Sequence, residues 1–413
     1  MKPAIIVSAN TASVAVVRAL GTMGVPVVVM HYSDEDDIAQ VSKYVVKRIK
    51  VPHPEEAETR FLDRVVECAT QHPGGLLIPT SDESVAAVAK YKDLLEQHYI
   101  VACPEERIAE QFIDKKHTYE LAERVGVPYP YTIVPQSMED VEKYGRNVQY
   151  PCLIKPCHSH RFHAVFRRKV FVIHNSEELI SRYRRVADAG LEVMLQEIIP
   201  GNDTHGVNYN SYFWDNEPLV EFTSAKLRHA WPRFGFPCAV VSKNLPEVME
   251  LSRVLLKGLG FYGFSNVEFK RDPRDDVYKL MEINGRHNLS SHLAVRCGIN
   301  FPWLQYKHLV EGELPRPSGY TEGIYWLDPF KDIGYGIKYF REERYTVGGL
   351  IGPYFKPHVF ATFDLKDPMP TLWRVRHLVK RVTIRRARGL ITAPKQIPRL
   401  SRRLGRRFKK TFS

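Results

Sequence analysis

Nowhere in this 413-residue chain is there an apolar run approaching the roughly 18 residues that a membrane-spanning helix needs. Its first residues, MKPAIIVSANTASVAVV, lack an apolar stretch followed by a small-residue cleavage site, so they read as a strand entering a helix rather than a secretion signal. The six cysteines (68, 103, 152, 157, 238 and 297) include no Cys-x-x-Cys pair, which argues against a disulfide frame and for free thiols in a reducing cytoplasm. The turn Ser8-Ala9-Asn10-Thr11-Ala12-Ser13 carries no glycine fingerprint, so a dinucleotide is not expected there. Residues 371–413 contain no Asp or Glu but 15 Lys and Arg. Of the 59 basic and 47 acidic residues in the chain, that leaves 44 against 47, or −3, for the rest. The net charge of +12 therefore sits in one segment, with no aromatic platform or nucleic-acid fold beside it, and no nucleic-acid partner is expected.

What is present suits a globular protein of two or three α/β domains, with 44% hydrophobic residues. Residues 1–112 alternate strand and helix: strands at 4–8, 26–32 and 76–80, helices at 11–23, 56–71 and 84–96. This pattern predicts a parallel sheet. Ligands of such sheets lie beyond the carboxyl ends of the strands, which singles out Ser8, Asn10, Thr80, Ser81 and Asp82. Asp82 also reads as the cap of the helix that follows it.

Two apolar runs, 266–269 and 277–283, flank a turn rich in Asp, Pro and Arg and predict a β-hairpin. Residues two apart on a strand share a face. Glu282, Asn284 and Arg286 thus point one way, and Glu268 can meet them across the ladder. Two carboxylates and an amide oxygen suit Mg²⁺ held together with substrate phosphates. An arginine beside them can steady the charge on a transferred phosphoryl group. A solvated hairpin with ordinary charges is the alternative.

Val267-Glu268-Phe269 followed by Glu282-Ile283-Asn284-Gly285-Arg286 resembles the metal-binding end of the ATP-grasp superfamily, and further marks of that family stand upstream in order. Asp114-Lys115 opens a helix ending in Gly126-Val127-Pro128. Tyr150-Pro151-Cys152-Leu153-Ile154-Lys155-Pro156 resembles the strand whose lysine touches ATP phosphates. Leu195-Gln196-Glu197-Ile198-Ile199-Pro200-Gly201 resembles the hinge that binds adenine, with Asp203 in the place of a ribose ligand. Four ordered motifs are far more specific than one. The resemblance implies an α/β chain with an N-terminal Rossmann-like (pre-ATP-grasp) domain at 1–112, then a two-lobed ATP-grasp α+β domain. Its small lobe would span 113–190, and its large lobe, with the metal site, 191–312. A C-terminal extension (313–370) and a basic tail (371–413) follow.

The residues support these roles to different degrees. Lys155 ends an apolar strand, where an ammonium needs a fixed anion; a phosphate or a protein carboxylate would serve. Lys115 is adjacent to Lys116, and either reads equally as a helix-face charge. The family's glycine-rich phosphate loop is missing: no glycine occurs between Lys155 and Gly190. Cys157-His158-Ser159-His160-Arg161-Phe162-His163 stands there instead. This resembles the D-aspartate ligase and carboligase group, with Arg161, Arg167, Arg168 or Lys169 as cationic replacements and Lys169 preferred. Zinc on that His/Cys cluster is the weaker reading, because its spacing fits no standard finger. Lys226 and Arg228 alternate before Trp231-Pro232-Arg233-Phe234-Gly235. The resemblance places such a basic pair near the γ-phosphate and acyl acceptor, with Arg228 favoured because a guanidinium forks onto oxygens.

The expected activity is a cytoplasmic ATP-grasp ligase joining a small-molecule carboxylate to an amine through an acyl phosphate. Lys115, Lys155, Lys169, Glu197, Ile199 and Asp203 would bind ATP, and Glu268, Glu282 and Asn284 would bind Mg²⁺, or Mn²⁺ in its place. Arg286 and Arg228 would act on the reacting groups. A carboxylase, a phosphoryl transferase and a non-catalytic nucleotide-binding protein are the alternatives. Leu372, Val375, Leu378, Val379 and Val382 recur at helical spacing among arginines. They predict an amphipathic basic helix able to lie on an anionic membrane or dock on the body.

Overall fold

The computed structural model describes residues 1–157, 162, 165–168, 170–230, 235–339 and 345–387. Lys169, the residues of the His/Cys cluster other than Cys157 and Phe162, residues 231–234 and residues beyond 387 lie outside that set.

The N-terminal alternation folds as a five-stranded parallel sheet in the order β3-β2-β1-β4-β5, from β1 (Ala4–Val7), β2 (Val27–His31), β3 (Val45–Lys50), β4 (Leu76–Pro79) and β5 (Ile100–Val101). Its central strands are apolar throughout because both faces are covered. Ile5, Val7, Val28, Met30 and Leu77 enter one core with Phe61 and Val65 of the helix Glu58–Gln71. Ala4, Ile6, Val27, Val29 and Leu76 enter the other with Val14, Val17 and Leu20 of the helix Thr11–Gly21. The helix predicted over 84–96 starts at Asp82 and breaks at Tyr91 into two pieces. The edge strand β3 is half-exposed along its length, so it lacks the apolar run that betrays its neighbours.

Next comes a four-stranded antiparallel sheet, β6-β9-β7-β8, of β6 (Thr132–Ile133), β7 (Cys152–Pro156), β8 (Phe171–Ile173) and β9 (Val193–Glu197). The helices Met138–Asn147 and Ser176–Asp188 pack their apolar stripes, including Val141, Tyr144, Leu179 and Val186, against it.

The largest sheet has seven strands in the order β14-β13-β10-β11-β12-β15-β16. They are β10 (Gly206–Trp214), β11 (Glu217–His229), β12 (Pro237–Ser242), β13 (Gly263–Arg271), β14 (Tyr278–Asn284), β15 (Tyr325–Leu327) and β16 (His358–Phe360). Residues expected as an added piece after 313 thus supply two strands of this same sheet. One face is uniformly apolar: Val207, Tyr209, Val267, Phe269, Leu280 and Ile283 share a core with Leu255 and Leu256 of the helix Pro246–Leu259. The opposite face changes character along its strands. Tyr212 and Phe264 lie in an apolar core, two residues on come Asn210 and Asn266, and two further Asn208 and Glu268. The polar end of that face holds the candidate site.

The helix predicted from 371 begins at Met369 and runs to Ala387. It docks through Trp373, which joins the core of the parallel sheet, and through Arg374, which pairs with Asp328 at 3.0 Å. The stripe that marked it as amphipathic faces outward instead: Leu372, Val375, Leu378 and Val379 are exposed. No helix among the described residues is long and apolar enough to cross a membrane.

Candidate active site

The hairpin forms as its spacing demands. Glu268 stands opposite Glu282 and Asn266 opposite Asn284 across β13 and β14. Continuing over β10 to β11, the rows read Glu282, Glu268, Asn208, Ser224 and Asn284, Asn266, Asn210, Phe222. The amides are chained: Asn284 Nδ2 donates to Asn266 Oδ1 at 3.2 Å, and Asn266 Nδ2 to Asn210 Oδ1 at 2.9 Å. With its N–H so engaged, Asn284 leaves Oδ1 as the acceptor for a cation.

Each carboxylate of the pair holds a lysine brought from elsewhere. Lys115, first residue of the helix Lys115–Val125, donates to Glu282 at 3.1 Å. Lys226 of β11 pairs with Glu268. Burial alone would push the Glu282 carboxyl up, but Lys115, Lys155 and Arg286 reverse this and hold it well below the usual carboxylate range. The charge of Glu282 in turn raises Lys115. Lys155 approaches from β7 of the four-stranded sheet. It has no carboxylate within ion-pair distance among the described residues, only Tyr119 Oη at 3.3 Å and Gln196 Oε1 at 3.4 Å. Tyr119 sits one turn after Lys115 and donates to the Met281 carbonyl at 3.2 Å, tying the helix to β14. Arg286 forks onto Asp82 of the parallel-sheet unit, Nε to Oδ1 at 2.5 Å and Nη2 to Oδ2 at 2.9 Å.

The structure thus gathers Lys115 from a helix, Lys155 from the four-stranded sheet, and Glu268, Glu282, Asn284 and Arg286 from the hairpin of the seven-stranded sheet and the turn after it. Other expected residues are engaged elsewhere. Arg228 is buried and forks onto Asp332 at 2.6 and 2.7 Å, with Nη1 on the Gly349 carbonyl at 3.0 Å. Its neighbour Lys226, the lesser choice in the sequence, is the one that reaches Glu268, because the ladder is bulged between the two. Asp203 is buried against His229, accepting from its backbone N–H at 2.9 Å and facing its ring at 2.7 Å. The Glu197 carboxylate takes the Tyr131 N–H at 2.9 Å and Arg274 at 2.8 Å. Ile199 is buried, and its carbonyl accepts from Lys270 at 2.9 Å. Asp82 is not the helix cap: Ser81 and Ser84 cap it reciprocally. Asn208, Asn266 and Tyr119 enlarge the site beyond what the sequence showed, and Asp82, expected at the end of the parallel strands, joins it through Arg286. Asn266 was legible, since it precedes Glu268 by two on the same strand.

Two observations bear on a metal. Among the described residues no three His, Cys, Asp or Glu side chains converge as ligands. Two carboxylates and an amide are what a Mg²⁺ ion completed by phosphates and water requires. In the same row as the carboxylates, Asn208 Oδ1 and Ser224 Oγ are buried without hydrogen-bond partners among the described residues, and a buried polar atom left unpaired is costly. The donor set fits a cation bound with an anionic ligand: the lysines can turn to the anion as the carboxylates take the cation.

No family model matches the chain. It is 27% identical over 243 residues to D-aspartate ligase of Enterococcus faecium, covering 54% of this chain and 56% of that one, so it spans just over half of the relative's length. The fold superposes on the biotin carboxylase domain of Hydrogenobacter thermophilus 2-oxoglutarate carboxylase, solved with MgADP and bicarbonate, with a TM-score of 0.61 at 17% identity over 78% of this chain and 73% of that one. It superposes on L-amino acid ligase from Bacillus licheniformis with a TM-score of 0.59 at 17% identity over 76% and 78%. The chain therefore has the fold of the ATP-grasp enzymes and counts a D-aspartate ligase among its relatives.

Proposed function

We propose that this protein is an ATP-dependent carboxylate–amine ligase. In this reading the parallel sheet is the pre-ATP-grasp domain, the four-stranded sheet the small lobe and the seven-stranded sheet the large lobe. ATP lies between the last two. The observation that carries the proposal is the meeting of Lys155 from one sheet with Glu282, Glu268 and Asn284 on another and with Lys115 from the helix Lys115–Val125: two cations, two acids and an amide that no fold requirement brings together. Glu268, Glu282 and Asn284 would hold Mg²⁺, which neutralises phosphate charge when bound. Lys155 and Lys115 would take phosphate oxygens. The substrate carboxylate attacks the γ-phosphorus, the bond to the β-γ bridging oxygen breaks, and acyl phosphate and ADP result. The amine nitrogen then displaces phosphate to leave an amide. Positioning and charge neutralisation carry both steps, and no protein nucleophile is needed. Arg286 would face the transferred phosphoryl group. The engagement of Arg228 with Asp332 makes it a support for the helix Pro329–Tyr339, and Lys226 takes its place beside the carboxylates.

The test is ADP release from Mg-ATP, screened over amino acids and other carboxylic acids against amines, with the product weighed by mass spectrometry. Amine-dependent ADP release with a mass-matched amide supports the ligase. Bicarbonate-dependent release identifies a carboxylase, and a phosphorylated product a phosphoryl transferase.

One surface favours a second property. The outward stripe of Leu372 (56% exposed), Val375 (38%) and Val379 (58%) sits at the start of the segment with 15 basic and no acidic residues, the pattern of a helix lying on anionic lipid. Sedimentation with phosphatidylglycerol vesicles at low and high salt tests it. No binding at low salt rejects it.

A further inference from the structure

Capping its helix does not account for Asp82. The helix Asp82–Lys90 is capped without it, by Ser81 and Ser84. Its carboxylate is 59% exposed at the carboxyl end of β4, yet both oxygens are aimed at Arg286. Its support is rigid. Thr80 Oγ1 donates to the Val7 carbonyl at 2.9 Å and meets Ser13 Oγ at 2.8 Å, while Asn10 Nδ2 reaches the Thr80 carbonyl at 3.3 Å. The loops after β1 and β4 are thereby fastened to each other, and Ser8 between them holds a left-handed backbone, φ 78°. The Asp82 charge is felt at Lys115, so it belongs to the field of the site. It does not converge with Glu268 and Glu282 as a metal-binding trio.

A ligase at this site faces a problem of sign. ATP and the acid are anionic and suit Lys115, Lys155, Lys226 and Arg286. The amine arrives as an ammonium, which those cations repel. Glu268 and Glu282 are assigned to the metal. We propose, resting on the ligase reading, that Asp82 receives the ammonium of the amine substrate. Each carboxylate oxygen keeps a lone pair beyond the one given to Arg286. The nucleophile is then set beside the guanidinium that faces the acyl phosphate. The ammonium passes one proton to Asp82 and on to water. The freed nitrogen pair attacks the acyl carbon, and the carbon–oxygen bond to the phosphoryl group breaks with its electrons on the leaving phosphate. The second proton lost by nitrogen goes to that phosphate.

Hydroxylamine separates this role from a general one, because it traps acyl phosphates as hydroxamates and is mostly uncharged at neutral pH, so it needs no anionic anchor. Amino acids of both hands serve as acids, each offered hydroxylamine or an amino acid acceptor. For Asp82→Asn, the ratio of amide to hydroxamate formation should fall by about a hundredfold, chiefly through the KM of the acceptor, as expected when a charge pair loses one member. Asp82→Glu, which keeps the charge, should recover part of that ratio. An unchanged ratio in Asp82→Asn, or equal loss of both products, overturns the proposal while leaving the ligase standing. If the wild-type protein forms no hydroxamate with any acid, the ligase reading fails and the role of Asp82 fails with it.

Discussion

Two charge clusters share the β13–β14 hairpin and are built from the same residue types. Near the turn, Asp272 is fully buried and accepts from Arg274 Nε at 2.9 Å, from the Arg274 backbone N–H at 3.0 Å and from Lys279 at 2.7 Å. Glu197 closes that group through Arg274 and the Tyr131 N–H. Burial would raise the Asp272 carboxyl, yet these donors hold it far below its usual range. At the other end, Glu268 and Glu282 each hold one lysine, and Asn208 and Ser224 in the same row have unpaired buried oxygens. The first cluster is complete without help. In the second each carboxylate has its lysine, but the hydrogen bonding is unfinished. Composition does not separate the two clusters; the completeness of their hydrogen bonding does.

Exchanging one charge in each cluster should give opposite results. Glu282→Gln should cut turnover by about a thousandfold, the scale of losing a group that stabilises transferred charge, with little change in melting temperature. Asp272→Asn should instead cost about 3–5 kcal/mol of stability, because Arg274 and Lys279 lose a buried partner. Activity per folded molecule should be retained. Urea unfolding and ADP release on both variants check the pair, and normal turnover by folded Glu282→Gln would erase the distinction.

Lys155 sharpens the comparison, since among the described residues it has no carboxylate within ion-pair distance. Lys155→Ala should weaken ATP by about ten- to a hundredfold while sparing adenosine, because the lost contact is a charged hydrogen bond to phosphate. Calorimetry with both ligands decides. Equal weakening would assign Lys155 to the structure.

Arg228 offers a similar test on the structural side. Its pairing with buried Asp332 predicts that Asp332→Asn destabilises the protein by a few kcal/mol and leaves the KM for ATP unmoved. A raised KM would return Arg228 to the nucleotide.

The smallest effect concerns acid. Burial pushes His287 down to about 3 and His292 to about 4 from the ordinary 6.5. The unfolded chain therefore takes up protons first as pH falls. The contribution of these rings is full above about 6.5 and is lost below it, down to about 4 for His292 and about 3 for His287, at up to about 1.4 kcal/mol per pH unit for each. His292→Gln should flatten that limb in a pH series of unfolding curves. An unaltered slope would mean that His292 is not neutral in the fold.

Much of the architecture was legible in the chain. Apolar runs between turn residues marked β1, β2, β4 and the hairpin, since strands buried on both faces can hold little else. Alternation placed Glu268, Glu282 and Asn284 on one face, because the period of a strand is a local property. The helix opening at Lys115 and the strand ending at Lys155 were also visible. Strand β3 was not, being an edge with exposed alternate residues, and neither were the short strands β15 and β16, which gain their partners only across the sheet.

Which cation meets which anion was decided by tertiary structure alone. Arg228 was favoured over Lys226 in sequence, yet with β11 bulged between them Lys226 meets Glu268 and Arg228 meets Asp332. Glu197 and Asp203, expected at the nucleotide from sequence, have their carboxylates on Arg274 and His229. Asp82 read as a cap until Ser81 filled that role and Arg286 arrived from 204 positions away. A sequence determines its local periods because they depend on near neighbours. It does not display the ion pairs of a site, because those depend on distances of a few ångströms between segments that only the packed sheets bring together.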